Sequence, residues 1–248
     1  MKKKILSFFQ IITKPSSFLT QALSGTIGWT FPLSVFAVYT FLNAFFLKLK
    51  PADFPKTIPS LHISEGWPFA FAVQLVGGII GTAIFSSICV FFFKIAAKKK
   101  FWVKTFFSLF FILLFGVFIA RSSSQLACAI FLLAFCAAVF FNAIRQKKNT
   151  AYLMKVFLSA NLILLLFLPL NVLASIQGSE QLFIVSEITA SLWLITILVK
   201  AGKTLNQAHI FKFLISLFIS AFIEVIFFLS LLKCGIITQE TFKIIFLS

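Results

Sequence analysis

The chain has 248 residues, of which 60% are hydrophobic and only 11% are charged, and it carries a formal net charge of +16. A soluble domain has about 25% charged residues and must cover itself with polar groups, so this composition excludes a soluble globule and fits a chain embedded in lipid. The basic excess does not point to nucleic acid, because Lys and Arg sit in short clusters at the ends of apolar segments, where they suit anionic headgroups.

Residues 1–24 precede the first span. Ile5, Phe8, Phe9 and Ile12 recur at helical spacing, while Lys3, Ser7, Gln10 and Lys14 fall largely elsewhere. The pattern predicts an interfacial amphipathic segment lying on a leaflet. The apolar run is short, is broken by Gln10 and ends at Lys14-Pro15 with no small-residue cleavage site, so a cleaved signal peptide is not expected.

Seven apolar segments follow within 25–233, a transmembrane helical bundle. The first is expected over 27–47, with Pro32 early enough to be tolerated in a helix. The loop 48–68 holds Pro51, Pro55, Pro59 and Pro68, and is the largest expected feature outside the membrane. The second segment, 69–95, carries Gly77, Gly78 and Gly81. Gly77 and Gly81 form a small-xxx-small pair that lets helix backbones approach closely, making them candidate helix-packing residues and a possible homo-oligomer contact. Segments 102–120 and 126–144 form a hairpin, since one helix of that combined length would overrun a single crossing. Segments 152–173, 181–199 and 210–232 complete the set. Residues 234–248 are an amphipathic tail expected to rest on the surface.

Sidedness follows from the basic residues. If successive gaps alternate across the bilayer, one side receives Lys2, Lys3, Lys4, Lys14, Lys94, Lys98, Lys99, Lys100, Lys104, Arg145, Lys147, Lys148, Lys155, Lys200, Lys203 and Lys212. The other receives only Lys48, Lys50, Lys56, Arg121, Lys233 and Lys243. Basic short loops stay cytoplasmic, so the N-terminus is expected inside and the C-terminus outside, in a multi-pass membrane protein. The lipid bilayer is then the principal partner, with anionic lipids at the basic inner loops. The 37 Phe residues suit lipid-facing and inter-helix packing.

Little in the chain promises chemistry. Glu224 is the one acid deep in a span, and an ionised carboxylate there is costly unless paired, protonated or functional. No Lys or Arg lies deep in another span. Hydrogen-bonding partners would come from Asn161, Asn142, Gln74 or a serine. Glu224 with Asn161 is therefore the candidate intramembrane polar site, structural in one reading and a proton or cation relay in the other. His62 and His209 fall on opposite sides, so they do not share a site. No HExxH, GxSxG or phosphate-cradling glycine loop occurs. Asp53, His62 and Glu65 lack metal-ligand spacing and read as a solvated loop. Cys89, Cys128, Cys136 and Cys234 form no disulfide or metal pattern. No catalytic residue and no cofactor is expected.

Three stretches carry a family resemblance. Phe8-Phe9-Gln10-Ile11-Ile12-Thr13-Lys14-Pro15-Ser16-Ser17-Phe18 resembles the basic-proline segment ahead of the first span in prokaryotic members of the Yip (Ypt-interacting protein) family. Leu192-Trp193-Leu194 through Val199-Lys200-Ala201-Gly202-Lys203-Thr204 is similar to that family's penultimate span and its basic turn. Lys155-Val156-Phe157 to Pro169-Leu170 is similar to its middle span. Family members have about five spans, so the 102–144 hairpin would be an addition. Lys98-Lys99-Lys100 replaces a Gly-rich turn, and Glu65-Gly66-Trp67-Pro68 only echoes the family's acidic-aromatic-Gly-Pro motif. The resemblance implies a helical bundle without catalytic residues, acting in membrane organisation or as a partner-binding scaffold.

Overall fold

The computed structural model describes residues 10–51, 53–55, 66–96, 98, 100–121, 124–205 and 209–247, with the side chains of 120, 246 and 247 outside that description. Ile5, Phe8, Phe9, His62, Glu65 and Lys99 therefore lie outside the described residues. The described elements are α1 (Pro15–Leu23), α2 (Thr30–Leu49), α3 (Trp67–Ala96), α4 (Phe101–Arg121), α5 (Gln125–Arg145), α6 (Lys147–Gln177), α7 (Glu180–Leu205), α8 (Ile210–Lys233) and α9 (Gln239–Leu247). Among the described residues no strand occurs, and seven helices, α2 to α8, are long and apolar enough to cross a membrane. The chain is an all-α, polytopic membrane protein.

Local chemistry sets the ends of these helices. Lys50 leaves α2 in an extended conformation, as a residue preceding proline must, because Pro51 clashes with a helical neighbour. Ser124 caps α5 by accepting from the Ala127 N–H, and His209 Nδ1 caps α8 by accepting from the Phe211 N–H. Gly178 and Gly235 end α6 and α8 at φ +65° and +71°. Around them, Ser179 N–H donates to Ala174 O and Ile236 N–H to Leu231 O, the six-residue closure that an αL glycine permits. Pro169 sits inside α6 without ending it, although the Leu165 carbonyl loses its helical donor there.

Three helices run past their expected limits, α7 by continuing as helix through Lys200 and Lys203 to Leu205, where a basic turn was expected. α3 begins at Trp67 because Pro68 occupies the first turn, where its missing N–H costs nothing. α6 begins at Lys147 rather than 152, carrying Lys147, Lys148 and Asn149 as helix. At 30 and 31 residues, each is about 45 Å long at 1.5 Å per residue, more than a ~30 Å hydrocarbon core. They must tilt or project into the headgroup layer.

The residues cluster into two compact units. The first gathers 1–80, 155–201 and 243–248; the second gathers 81–154 and 202–242. In the first unit, Phe18 and Leu19 of α1 and Ile11 before it are almost wholly buried. The N-terminal segment is thus packed into protein through these residues, and Ile12 is only half-buried. Near the other end of the chain, Ile244 of α9 is fully buried in a cluster with Ala44, Leu47 and Ala70 of the same unit.

In the second unit α4 and α5 both pack on α8. Ile88, Phe92 and Ile95 of α3 join Phe101 and Ile219 in one cluster, and Ile119, Cys128 and Ile226 form another. The Phe93 and Phe213 rings meet edge to face at 5.0 Å. Gly202 gives Phe213 its room, since a Cβ there would lie 2.8 Å from the ring.

Candidate functional site

Glu224 lies on α8 in the second unit, partly buried. Its Oε1 lies 2.6 Å from the point where Gly81 would carry a Cβ, and the Phe228 ring is 3.6 Å from the same point. Cys89 approaches the same face of α8, within hydrogen-bonding reach of Ser220, one turn before Glu224. The structure therefore joins two residues that the sequence treated separately. Gly81 admits a carboxylate-bearing side chain from α8, in place of a bare helix backbone.

The expected partners of Glu224 are engaged elsewhere or belong to the other unit. Asn161, in the first unit, donates to Phe157 O at 3.0 Å and Leu158 O at 3.4 Å, both on its own helix. Asn142 donates to Ser87 O at 2.6 Å and to Ser87 Oγ at 3.1 Å, and Ser87 Oγ donates in turn to Val139 O at 3.1 Å. The Gln74 amide is buried with no hydrogen-bond partner among the described residues. Glu224 thus belongs to the second unit and Asn161 to the first.

Gly77 belongs to the first unit, where a Cβ would meet Ile245 at 3.1 Å. Its neighbour is α9 of the same chain. Gly78 is closed in more tightly by the Phe36 ring of α2, which a Cβ would overlap.

Two polar arrangements in the first unit were not anticipated. Asn171 Nδ2 donates to Glu187 Oε1 at 2.6 Å across the α6–α7 hairpin. Both lie eight residues from Ser179 at the turn, so antiparallel helices bring them level. That symmetry was readable in the sequence. Lys155 is 9% exposed, donates to Ile27 O at 2.7 Å and lies 5.2 Å from the centre of the Trp29 ring. A carbonyl and an aromatic face thus replace the water its ammonium gave up. At the exit from α2, burial holds the Lys50 ammonium below the usual lysine range.

Asp53 lines a hollow of about 640 Å³ with Ser175, Ser179, Glu180 and Gln181. Among the described residues no group of three His, Cys, Asp or Glu could hold a metal ion.

A larger cavity lies in the second unit. About 1160 Å³ opens between the end of α3 and the α4–α5 hairpin, lined by Phe107, Phe111, Phe135 and Ile88 and rimmed by Lys94, Lys98, Lys104 and Arg145. The Ser87–Asn142 pair sits in its wall with its hydrogen bonds already made.

No protein-family model, curated protein or solved structure matches the chain.

Proposed function

We propose that this multi-pass membrane protein is a non-enzymatic, Yip-like component of membrane organisation, a scaffold that holds a protein partner or a second copy through its transmembrane surface. The observation that carries the reading is the α4–α5 hairpin. Only 11% of the apolar window of each of these helices is buried, against 44% for α2, α6 and α8. Phe106, Phe110, Leu126, Leu133 and Phe140 stand exposed along it. In lipid such a face serves acyl chains or another helix, and helix association there rests on close packing. The long polar side chains at Asn142, Asn161, Asn171 and Lys155 are hydrogen-bonded within the chain, which suits an architectural role better than a reactive one. With the N-terminus inside, the basic loops would face the cytoplasmic leaflet and its anionic lipids.

The test is photocrosslinking in native membranes from a benzophenone side chain at Phe110 or Leu133. The scaffold reading expects discrete protein adducts at one or both positions; lipid adducts alone at both positions sink it.

A second reading, a small transporter or channel component, draws on the placement of the Glu224 carboxyl against Gly81 beside Cys89 and Ser220. Its test is proton flux in proteoliposomes bearing an interior pH dye. A chain-dependent flux that Glu224→Gln abolishes would establish this reading in place of the scaffold.

A further inference from the structure

We propose that the cleft between α3 and the α4–α5 hairpin is a binding site for one anionic phospholipid. This deepens the headgroup contact proposed for the basic loops and rests on that reading, but confines the contact to one bounded place.

The rim supplies the charge. Lys94 lies in the last turn of α3, Lys98 follows that helix, Lys104 opens α4 and Arg145 closes α5. All four are exposed, and no acidic side chain lines the cleft among the described residues. Four cations converging from three helix ends suit a phosphate headgroup, to which Arg can donate two parallel hydrogen bonds and Lys a compact charge.

The depth supplies the tail site. Below the rim the walls are Phe107, Phe111, Ile88 and Phe135. Arg145 and Phe135 are ten residues apart on α5, about 15 Å along the axis at 1.5 Å per residue, which is half of a ~30 Å hydrocarbon core. The cleft is therefore one leaflet deep. Its 1160 Å³ exceeds the ~300–1,000 Å³ usual for small-molecule pockets. The polar pair in its wall is internally satisfied, because Asn142 donates to Ser87 and Ser87 to Val139. The wall thus presents little that would call for water or an ion. A charged mouth over an apolar shaft is the complement of an acidic lipid, and the exposed edges of Phe107, Phe111 and Phe141 let a chain enter sideways from the bilayer.

The test uses the full chain in nanodiscs of phosphatidylcholine with a minority of phosphatidylglycerol, released gently for native mass spectrometry. Three variants are compared with the wild type. One carries Lys94→Gln, Lys98→Gln, Lys104→Gln and Arg145→Gln. A matched control carries Lys14→Gln, Lys147→Gln, Lys148→Gln and Lys203→Gln, removing equal charge outside the cleft. The third, Ala138→Trp, keeps every charge and fills the shaft, which Ala138 lines. Wild type should retain one phosphatidylglycerol. The rim variant should lose about tenfold or more of that retention, as expected when several surface charges of this kind are removed. The control should retain it, and Ala138→Trp should lose it. Equal losses in the rim variant and the control would reduce the contact to diffuse attraction and overturn the site while sparing the broader reading. Retention unchanged in the rim variant, or in Ala138→Trp, would also overturn it.

Discussion

The Oε1 atom of Glu224 lies 2.6 Å from the point at which Gly81 would carry a Cβ, so the carboxyl on α8 and the missing side chain on α3 are one fitted contact. Gly81→Ala forces the carboxyl or the helix to move. Overpacking of this kind costs about 1–3 kcal/mol. Thermal unfolding in detergent should show Gly81→Ala destabilised and Gly81→Ala/Glu224→Ala restored towards Glu224→Ala alone. Additive losses in the double variant would mean that the two residues do not share a contact.

The glycines of the first unit should rank by what faces them. Phe36 presents a rigid ring to Gly78, whereas Ile245 presents the flexible end of an aliphatic chain to Gly77 at 3.1 Å. Gly78→Ala should therefore be the more damaging, by roughly 1–3 kcal/mol, and Phe36→Leu should relieve it. Gly77→Ala should shift the melting temperature less. The reverse order would contradict the packing described.

The Asn171–Glu187 bond spans a helical hairpin at 2.6 Å. Polar contacts between membrane helices average about 0.6 kcal/mol and reach ~1.7. Asn171→Leu removes the donor and should cost about 0.6–1.7 kcal/mol, with Glu187→Gln milder because its amide can still accept. A trypsin-resistance assay of the purified protein reads both. Equal resistance of Asn171→Leu and wild type would show the bond to be idle.

Sidedness is open to direct measurement. With the four native cysteines replaced, single cysteines at Ser60, Lys99, Ser123, Lys147, Gly178, Gln207 and Gln239 can be labelled in intact cells by an impermeant maleimide. The charge distribution predicts labelling at 60, 123, 178 and 239 only. Absence of label at 123 with inverted labelling beyond it would remove one crossing and void the assignment of every later loop.

The spans were legible because about 20 apolar residues in a row can serve little other purpose than crossing lipid. Their limits were less so. At Trp67, a proline that ends helices elsewhere sits where helices accept it, and at Lys147 the helix takes in Lys147, Lys148, Asn149 and Thr150, a polar stretch that hydropathy leaves out of the span. Hydropathy also carries no information on which residues meet. Lys155 counted as one of a side's basic residues, yet it is roofed by Trp29 and bonded to Ile27, 128 positions away. Gly81 was marked for its smallness, but nothing local indicates that a carboxylate would fill the space. The N-terminal and tail segments were read from their amphipathic faces alone, which fit a lipid surface and a protein core equally well. Each segment buries at least one large side chain, Phe18 in the first and Ile244 in the second, which amphipathicity alone does not foretell.

The pieces of the first unit are interleaved in the chain with those of the second. Its segments 1–80 and 155–201 are completed by 243–248, where Ile244 seats against Ala44, Leu47 and Ala70. A ribosome feeding this chain into a membrane must therefore deliver every span before that seat can fill. Through most of synthesis the Ala44–Ala70 face waits for its last side chain, so the first unit is finished only when the whole chain is made.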